Sequence, residues 1–549
     1  MKKKLLISSM LIFFLLPGLL AQISEGGTPP GFRYPVNEHK TPSINVPAPN
    51  IEQLKQEDEF YRKNGMAIRF AESVSIDVDL ARDGSWEVLA DGGRLCRLNI
   101  VSPGAQALIL YYRKFIIPEG GKLFLFSADK LQVIGAFTSQ SNPQRQTFAT
   151  EMIRGEKVTL EYYEPSGKIA KPQIMIEEAG YVYRTADRFF NPKGFGTSDT
   201  CEVNVNCPEG ENWQNQKNGI VRIIVKAGFS SLWCTGSLIN NARNDFKPYF
   251  LTADHCGANA TPANYNQWIF YFRYEGPDCE NPISDTTFKS YTMVGATKVA
   301  ASGGAGVASD FKLLRLNETV PGAYNPFFNG WSITGERSPN GVTIHHPDGD
   351  IKKISTYTDT IRSSSWGSIP NTHWRVVWSQ TQTNWGVTEG GSSGSPLFDN
   401  NGRIIGQLTG GEASCRYTSK PDYYGKFSYS WNGNPAADST HLKPWLDPDN
   451  SGITEINGVV SVNEIEPIPR PLHVFPNPSD GVVFIDDETL AGNDVLVEIT
   501  SLIGHEVLSK SFPDNNQTRI SLDISQLQKG IYFLTVLINN EARTMKLVR

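Results

Sequence analysis

Residues Thr252–Gly257 read TADHCG, and residues Gly391–Pro396 read GSSGSP. The first stretch sets His255 directly after a run of strand-forming residues, Tyr249–Thr252, and beside a cysteine. The second packs Gly391 and Gly394 around Ser393. Small residues there free the backbone for the tight turn that exposes a nucleophile, and let the N–H groups of Gly391 and Ser393 point together at a developing oxyanion. Between the two lies SDFKLLRL, Ser309–Leu316, in which Asp310 heads a half-buried strand. A carboxylate so placed can hold an imidazole in one tautomer. Each piece alone is common: a histidine before a cysteine is usually structural, an aspartate opening a strand a turn residue, a Gly/Ser cluster a loop. Together, in the order His255, Asp310, Ser393, they read as base, orienting acid and nucleophile, the order of the chymotrypsin arrangement.

A rival reading uses the same glycines. Gly390, Ser392 and Gly394 satisfy G-x-S-x-G, the nucleophile elbow of α/β-hydrolases, with Ser392 as nucleophile. That fold needs a helix after the serine and the acid and histidine downstream. Pro396 and the turn-forming Asp399–Gly402 deny the helix, and the downstream His441 sits in a short HLKPWL segment.

Outward from the motifs, six of the seven cysteines, Cys201, Cys207, Cys234, Cys256, Cys279 and Cys415, fall in one segment, and Cys96 stands apart. An even set in an exported chain implies disulfides, and no pair shows the Cys-x-x-Cys spacing of a zinc site. Export is indicated by Lys2–Lys4, the apolar run Leu5–Leu16 and a small residue at Ala21, which read as a signal peptide too short to span a membrane. Gly26–Asn50 is rich in Pro and Asn and reads as a flexible leader, with order beginning near Ile68. Short strands such as Leu108–Tyr112, Lys122–Phe126 and Lys157–Tyr163 then suggest a β-sandwich, a prodomain by its position. A Pro-rich linker, Val462–Pro471, precedes a small β module with strands at Val495–Thr500 and Ile531–Leu537. With 51 Lys+Arg against 57 Asp+Glu and a net charge of -6, nothing offers a basic patch to nucleic acid.

The middle segment resembles the lysyl endopeptidases, trypsin-fold serine proteases of bacteria. The resemblance rests on CEVNVNCPEG (Cys201–Gly210), CTGSLINN (Cys234–Asn241), YFLTADHCG, SDFKLLRL, IHHP (Ile344–Pro347), GSSGSPLF, IIGQLTGG and WLDP (Trp445–Pro448). It implies the triad His255, Asp310 and Ser393, the disulfides Cys201–Cys415, Cys207–Cys279 and Cys234–Cys256, and cleavage after lysine. Where the family can place a histidine near the catalytic imidazole, with a tryptophan matching Trp366, this chain has Thr409. That leaves the pH optimum open and the reaction unchanged.

Specificity needs an acid, because a buried ammonium must meet a carboxylate. In trypsin the acid lies six residues before the nucleophile, and here that position is Val387. The segment PDYYG (Pro421–Gly425) resembles the one that supplies the specificity aspartate of lysyl endopeptidases, which points to Asp422; Glu389 is the other candidate. Arginine is a second possible substrate residue, since pocket depth is not written in the sequence. Adjacent His345 and His346 on a strand face opposite ways and do not share a metal, and the Asp447–Asn450 cluster lacks the later Glu of a calcium loop.

The C-terminal stretches VFPNPSDG, SLIGHEVL, LQKGIYFLTV and the final KLVR resemble the sorting domain of type IX secretion in Bacteroidetes. The resulting expectation is an all-β precursor: signal peptide 1–21, propeptide with β-rich prodomain 22–193, trypsin-like double β-barrel 194–460, linker 461–471 and β-sandwich sorting domain 472–549. Maturation is expected at Lys193–Gly194. The expected partners are peptide or protein substrates and the type IX machinery, for a monomer secreted or held at the outer surface, with no cofactor or metal. The competing class is a protease fold kept as a catalytically silent surface-binding module, whose usual sign would be an altered triad.

Overall fold

The computed structural model describes residues 24–34, 36–63, 69–142, 147–167, 170–184, 197–282, 291–304, 307–434, 437–461, 473–487, 490–501, 506–538 and 541–549. The signal peptide, the Lys193–Gly194 bond and nearly all of the linker lie outside them. Residues up to Ser461 form one compact unit, and Val462–Arg549 a second.

The unit ending at Ser461 opens with two β-sheets whose apolar faces share a core. In one, Arg94–Val101, Lys157–Glu164, Lys122–Ser127 and Val133–Phe137 run antiparallel in that order. Alternation along them buries Leu98, Ile100, Leu125 and Leu160. In the other, Gln173–Val182 lies between Arg69–Asp79 and Ala107–Ile116. The expected flexible leader is corrected here. Ser43–Asn45 adds parallel to Arg94–Val101, and the helix Ile51–Lys63 follows. Sparse apolar content suffices because the backbone finds partners: Val46 N–H donates to Val101 O at 2.8 Å, Gly31 N–H to Glu161 at 2.8 Å, and Val46 and Leu54 reach the core.

Two antiparallel β-barrels follow. In the first, Ser230–Leu238 joins Ile220–Ala227 on one side and Tyr249–Ala253 on the other, the latter pairing onward with Phe311–Leu316. In the second, Ile404–Gly411 lies between Pro396–Phe398 and Asp422–Lys426, which pairs in turn with Ile369–Val376. The expected strands at Ile220–Val225, Tyr249–Thr252 and Arg403–Leu408 match observed ones within a few residues. The first barrel is not separate from the N-terminal sandwich: Arg69–Asp79 pairs with Ser230–Leu232, so one sheet runs through both.

The second unit is a β-sandwich with its own core. Val482–Asp486 lies between His473–Phe475 and Arg519–Asp523, while Asn493–Ser501 lies between Glu506–Asn515 and Ile531–Ile538, with Glu541–Val548 outermost. Val483, Ile485, Val497, Ile499, Leu534 and Val536 fill the space between them.

Candidate active site

His255 follows the strand Tyr249–Ala253 and sits in the turn that closes it. Asp310 precedes the neighbouring strand, fully buried, with φ at +56°. Its Oδ2 lies 2.7 Å from His255 Nδ1, and its Oδ1 accepts the His255 backbone N–H at 3.1 Å. The carboxylate therefore holds both the ring and the main chain of the histidine. The other ring nitrogen, Nε2, is buried with no hydrogen-bond partner among the described residues.

Lys312, on the strand Phe311–Leu316, donates its ammonium to the carbonyls of Asp254 at 3.0 Å and Cys256 at 2.6 Å. Burial pushes its pKa down to about 8. It braces the turn bearing His255, a role sequence reading missed because a lysine on a strand ordinarily reads as solvated.

Ser393 reaches this turn from the second barrel. Its carbonyl accepts the Thr235 N–H at 2.9 Å, and Gly394, at φ +83°, approaches so closely that a Cβ there would lie 2.2 Å from Thr252 Oγ1. The Cys234–Cys256 disulfide ties the Thr235 strand to the His255 turn. Gly391 also has positive φ, +89°, and among the described residues neither its N–H nor that of Ser393 donates to a protein acceptor. The other two expected disulfides, Cys201–Cys415 and Cys207–Cys279, are formed, and Cys96 is free and buried.

Ser392 is fully buried, with Oγ 2.7 Å from His345 Nδ1, whereas Ser393 retains 7% exposure. His345 Nε2 meets Ser355 Oγ at 3.0 Å, and His346 Nδ1 meets Asp350 O at 3.0 Å. The two imidazoles thus serve different partners. Burial pushes the His345 pKa down to about 3, so the ring is a neutral strut beneath Ser392. Asp447 accepts from the Ser451 backbone and hydroxyl at 2.9 and 2.8 Å, which ties off the turn between them.

Asp422 is 1% exposed, on a strand between Val376 and Gly411. Its Oδ2 accepts from Trp378 Nε1 at 2.6 Å and Thr388 Oγ1 at 2.7 Å, and its Oδ1 from Ala413 N at 3.2 Å. Thr388 belongs to the segment leading to Ser393, so Asp422 lies beside the stretch where trypsin carries its acid. Burial pushes its pKa up to about 6, against the pull of these donors. Glu389 instead accepts the Asp199 N–H at 2.9 Å. Burial raises its pKa and that of Glu202, where the charge of Glu389 adds to the rise.

His373 was missed by sequence reading. It lies on Ile369–Val376, and its Nε2 is 2.9 Å from Thr409 Oγ1, with the Trp366 ring 6.1 Å away. A histidine thus reaches the Thr409 position from another strand. No motif marks it.

Residues 195–425 match the family described as lysyl endopeptidase, C-terminal domain, and residues 473–549 the secretion system C-terminal sorting domain. A lysyl endopeptidase of Pseudomonas aeruginosa is 28% identical over 374 residues, 62% of this chain and 75% of that one. Among solved structures, the protease Anisep of Arthrobacter nicotinovorans is 19% identical over 39% of this chain and 91% of its own, with a TM-score of 0.28. Tobacco etch virus protease is 11% identical over 45% and 83%, with a TM-score of 0.24. Residues 195–425 are thus similar to the C-terminal domain of lysyl endopeptidases, and residues 473–549 to a sorting domain that indicates secretion or the cell surface.

Proposed function

We propose that this chain is a secreted serine endopeptidase that cleaves peptide bonds after lysine. The observation that carries the reading is the 2.7 Å contact between His255 Nδ1 and the buried Asp310, in a turn linked to Ser393 through Thr235 and the Cys234–Cys256 bridge. Asp310 fixes the tautomer in which Nε2 is the base, and that nitrogen has no competing partner among the described residues. His255 takes the Ser393 hydroxyl proton as Oγ attacks the scissile carbonyl, then gives it to the leaving amine. The Gly391 and Ser393 amides stabilise the oxyanion of the tetrahedral intermediate, and water then hydrolyses the acyl-enzyme. Apo hydrogen bonds in such sites are often long and tighten with substrate, so the serine need not already be bonded to Nε2.

Asp422 receives the lysine ammonium. Its carboxylate is held by three donors, so the negative charge is positioned before substrate arrives.

The test is a mixed peptide library incubated with the mature protein and with Ser393→Ala, followed by sequencing of the products. Cleavage after lysine by the parent and none by the variant is the expected result. Cleavage by both would remove Ser393 from the reaction.

A further inference from the structure

The turn that carries His255 is held at both its N–H and its carbonyl groups by one stretch of chain. Asp310, just ahead of the strand Phe311–Leu316, takes the N–H groups: that of Asp254 donates to Asp310 O at 2.7 Å, and that of His255 to Asp310 Oδ1 at 3.1 Å. Lys312 takes the carbonyls. Its Nζ lies 3.0 Å from Asp254 O, 2.6 Å from Cys256 O and 3.3 Å from Gly257 O. The Gly257 carbonyl also accepts the Ala260 N–H at 3.0 Å.

The Lys312 side chain is 1% exposed. Around its ammonium stand the Asp254 carboxylate, at 3.7 Å, and the rings of Tyr265 and Trp268, each 5.5 Å away. That carboxylate also accepts from Ser302 Oγ at 3.2 Å and from the Gly304 N–H at 2.8 Å. Burial pushes the Lys312 pKa down to about 8; the Lys298 charge acts in the same sense, and Asp254 and Asp310 oppose it. An ammonium has three N–H groups, one for each of the three carbonyls. The neutral amine has two and a lone pair. On losing its proton Lys312 therefore turns a lone pair towards one carbonyl of the turn, where burial keeps solvent from replacing the lost donor.

We propose that Lys312 positions His255 for catalysis only while it is protonated, so that loss of this proton, and not unfolding, ends activity on the alkaline side. The proposal rests on the catalytic reading above. Lys312 is a positioning residue and touches none of the reacting atoms: it acts through the carbonyls on either side of His255. Because burial lowers its pKa, the folded chain gives up this proton more readily than the unfolded one. Deprotonation of Lys312 therefore does not itself weaken folding, and activity and stability part company above about pH 8.

The experiment uses processed protein made by one route from full-length chains of the parent, Lys312→Met and Lys312→Arg. Two reactions are followed between about pH 7 and pH 9: acylation of Ser393 by a small serine-directed inhibitor, which has no lysine of its own to titrate, and cleavage of a lysine peptide, read as kcat and KM. Melting temperature is taken at each pH. Because small misplacement of a catalytic group is costly, the parent acylation rate and kcat should fall roughly tenfold by about pH 9, with a midpoint near 8, while KM and melting temperature hold. Lys312→Met, similar in length but without a donor, should be slow by about that factor already at pH 7 and show no such midpoint. Lys312→Arg, whose guanidinium keeps its proton throughout, should hold its rate to about pH 9. A flat parent profile overturns the proposal without any variant having to fold. So does a folded variant of either kind that keeps the parent's midpoint, a Lys312→Met that acylates at the parent rate, or a loss confined to KM. A parent protein that no serine-directed inhibitor modifies at any pH would sink the catalytic reading instead.

Discussion

Thr409 Oγ1 and His373 Nε2 lie 2.9 Å apart across the second barrel, although Asp422–Lys426 runs between their two strands. The gap is bridged at a glycine. Gly425 is in register with both His373 and Gln407, has no side chain to intervene, and could not carry one, since a Cβ there would lie 1.8 Å from Ser309 O. Thr372 Oγ1 meets the other ring nitrogen at 2.8 Å, so two hydroxyls satisfy the imidazole.

Burial pushes the His373 pKa down to about 4, with the Asp310 charge pulling the other way. The unfolded chain therefore binds this proton more readily than the folded one. The contribution to stability is complete above the ordinary histidine pKa of about 6.5 and is lost as pH falls towards about 4, a change on the order of 3 kcal/mol. Denaturant melts at pH 7 and pH 4.5 should show a smaller acid loss for His373→Gln than for the parent. Equal losses would show that His373 is not the group responsible.

Asp422 gives a pH dependence in the same direction, in binding rather than stability. With its pKa raised to about 6, the free pocket carries its charge only above that pH. Affinity for an alkylammonium should be level above about pH 7 and weaken as pH falls through 6. Asp422→Asn should bind weakly at every pH and lose roughly a hundredfold or more in lysine cleavage, while a small acylating inhibitor still modifies Ser393. Unchanged lysine preference would move the assignment to Glu389 or another acid.

Gly394 admits no side chain. Its φ is +83°, and a Cβ would lie 2.5 Å from Thr235 O and 2.6 Å from Ala253 N, backbone atoms that cannot swing away. Gly394→Ala should cost about 1–3 kcal/mol in stability and displace Ser393 from the His255 turn, so that the acylation rate falls further than the melting temperature alone explains. A variant with parent-like melting and acylation would contradict this.

The terminal sandwich has a core of its own and carries none of the proposed catalytic residues. Deleting Leu472–Arg549 should abolish delivery to the medium or outer surface and leave peptidase activity of the retained protein intact. Equal extracellular levels of full-length and truncated chains would remove the sorting role.

Sequence alone determined what is local. TADHCG, SDFKLLRL and GSSGSP each carry their chemistry within a few residues, strand alternation announces an all-β chain, and the tail motifs follow one another in order. What the tertiary structure decided depends on register between distant strands. Lys312 looks like a solvated lysine until it is found beneath the His255 turn, and His373 like an isolated histidine until Gly425 lets it reach Thr409. Trp378 and Thr388 have no signature as partners of Asp422. The leader near Ser43 looks unable to fold because its partners, Val101 and Glu161, lie far along the chain. Phe70 and Trp233 are ordinary strand residues whose stacking exists only because two sheets merge at Ser230–Leu232. Sequence periodicity records which face of a strand is buried; only packing selects the residue from elsewhere that meets it.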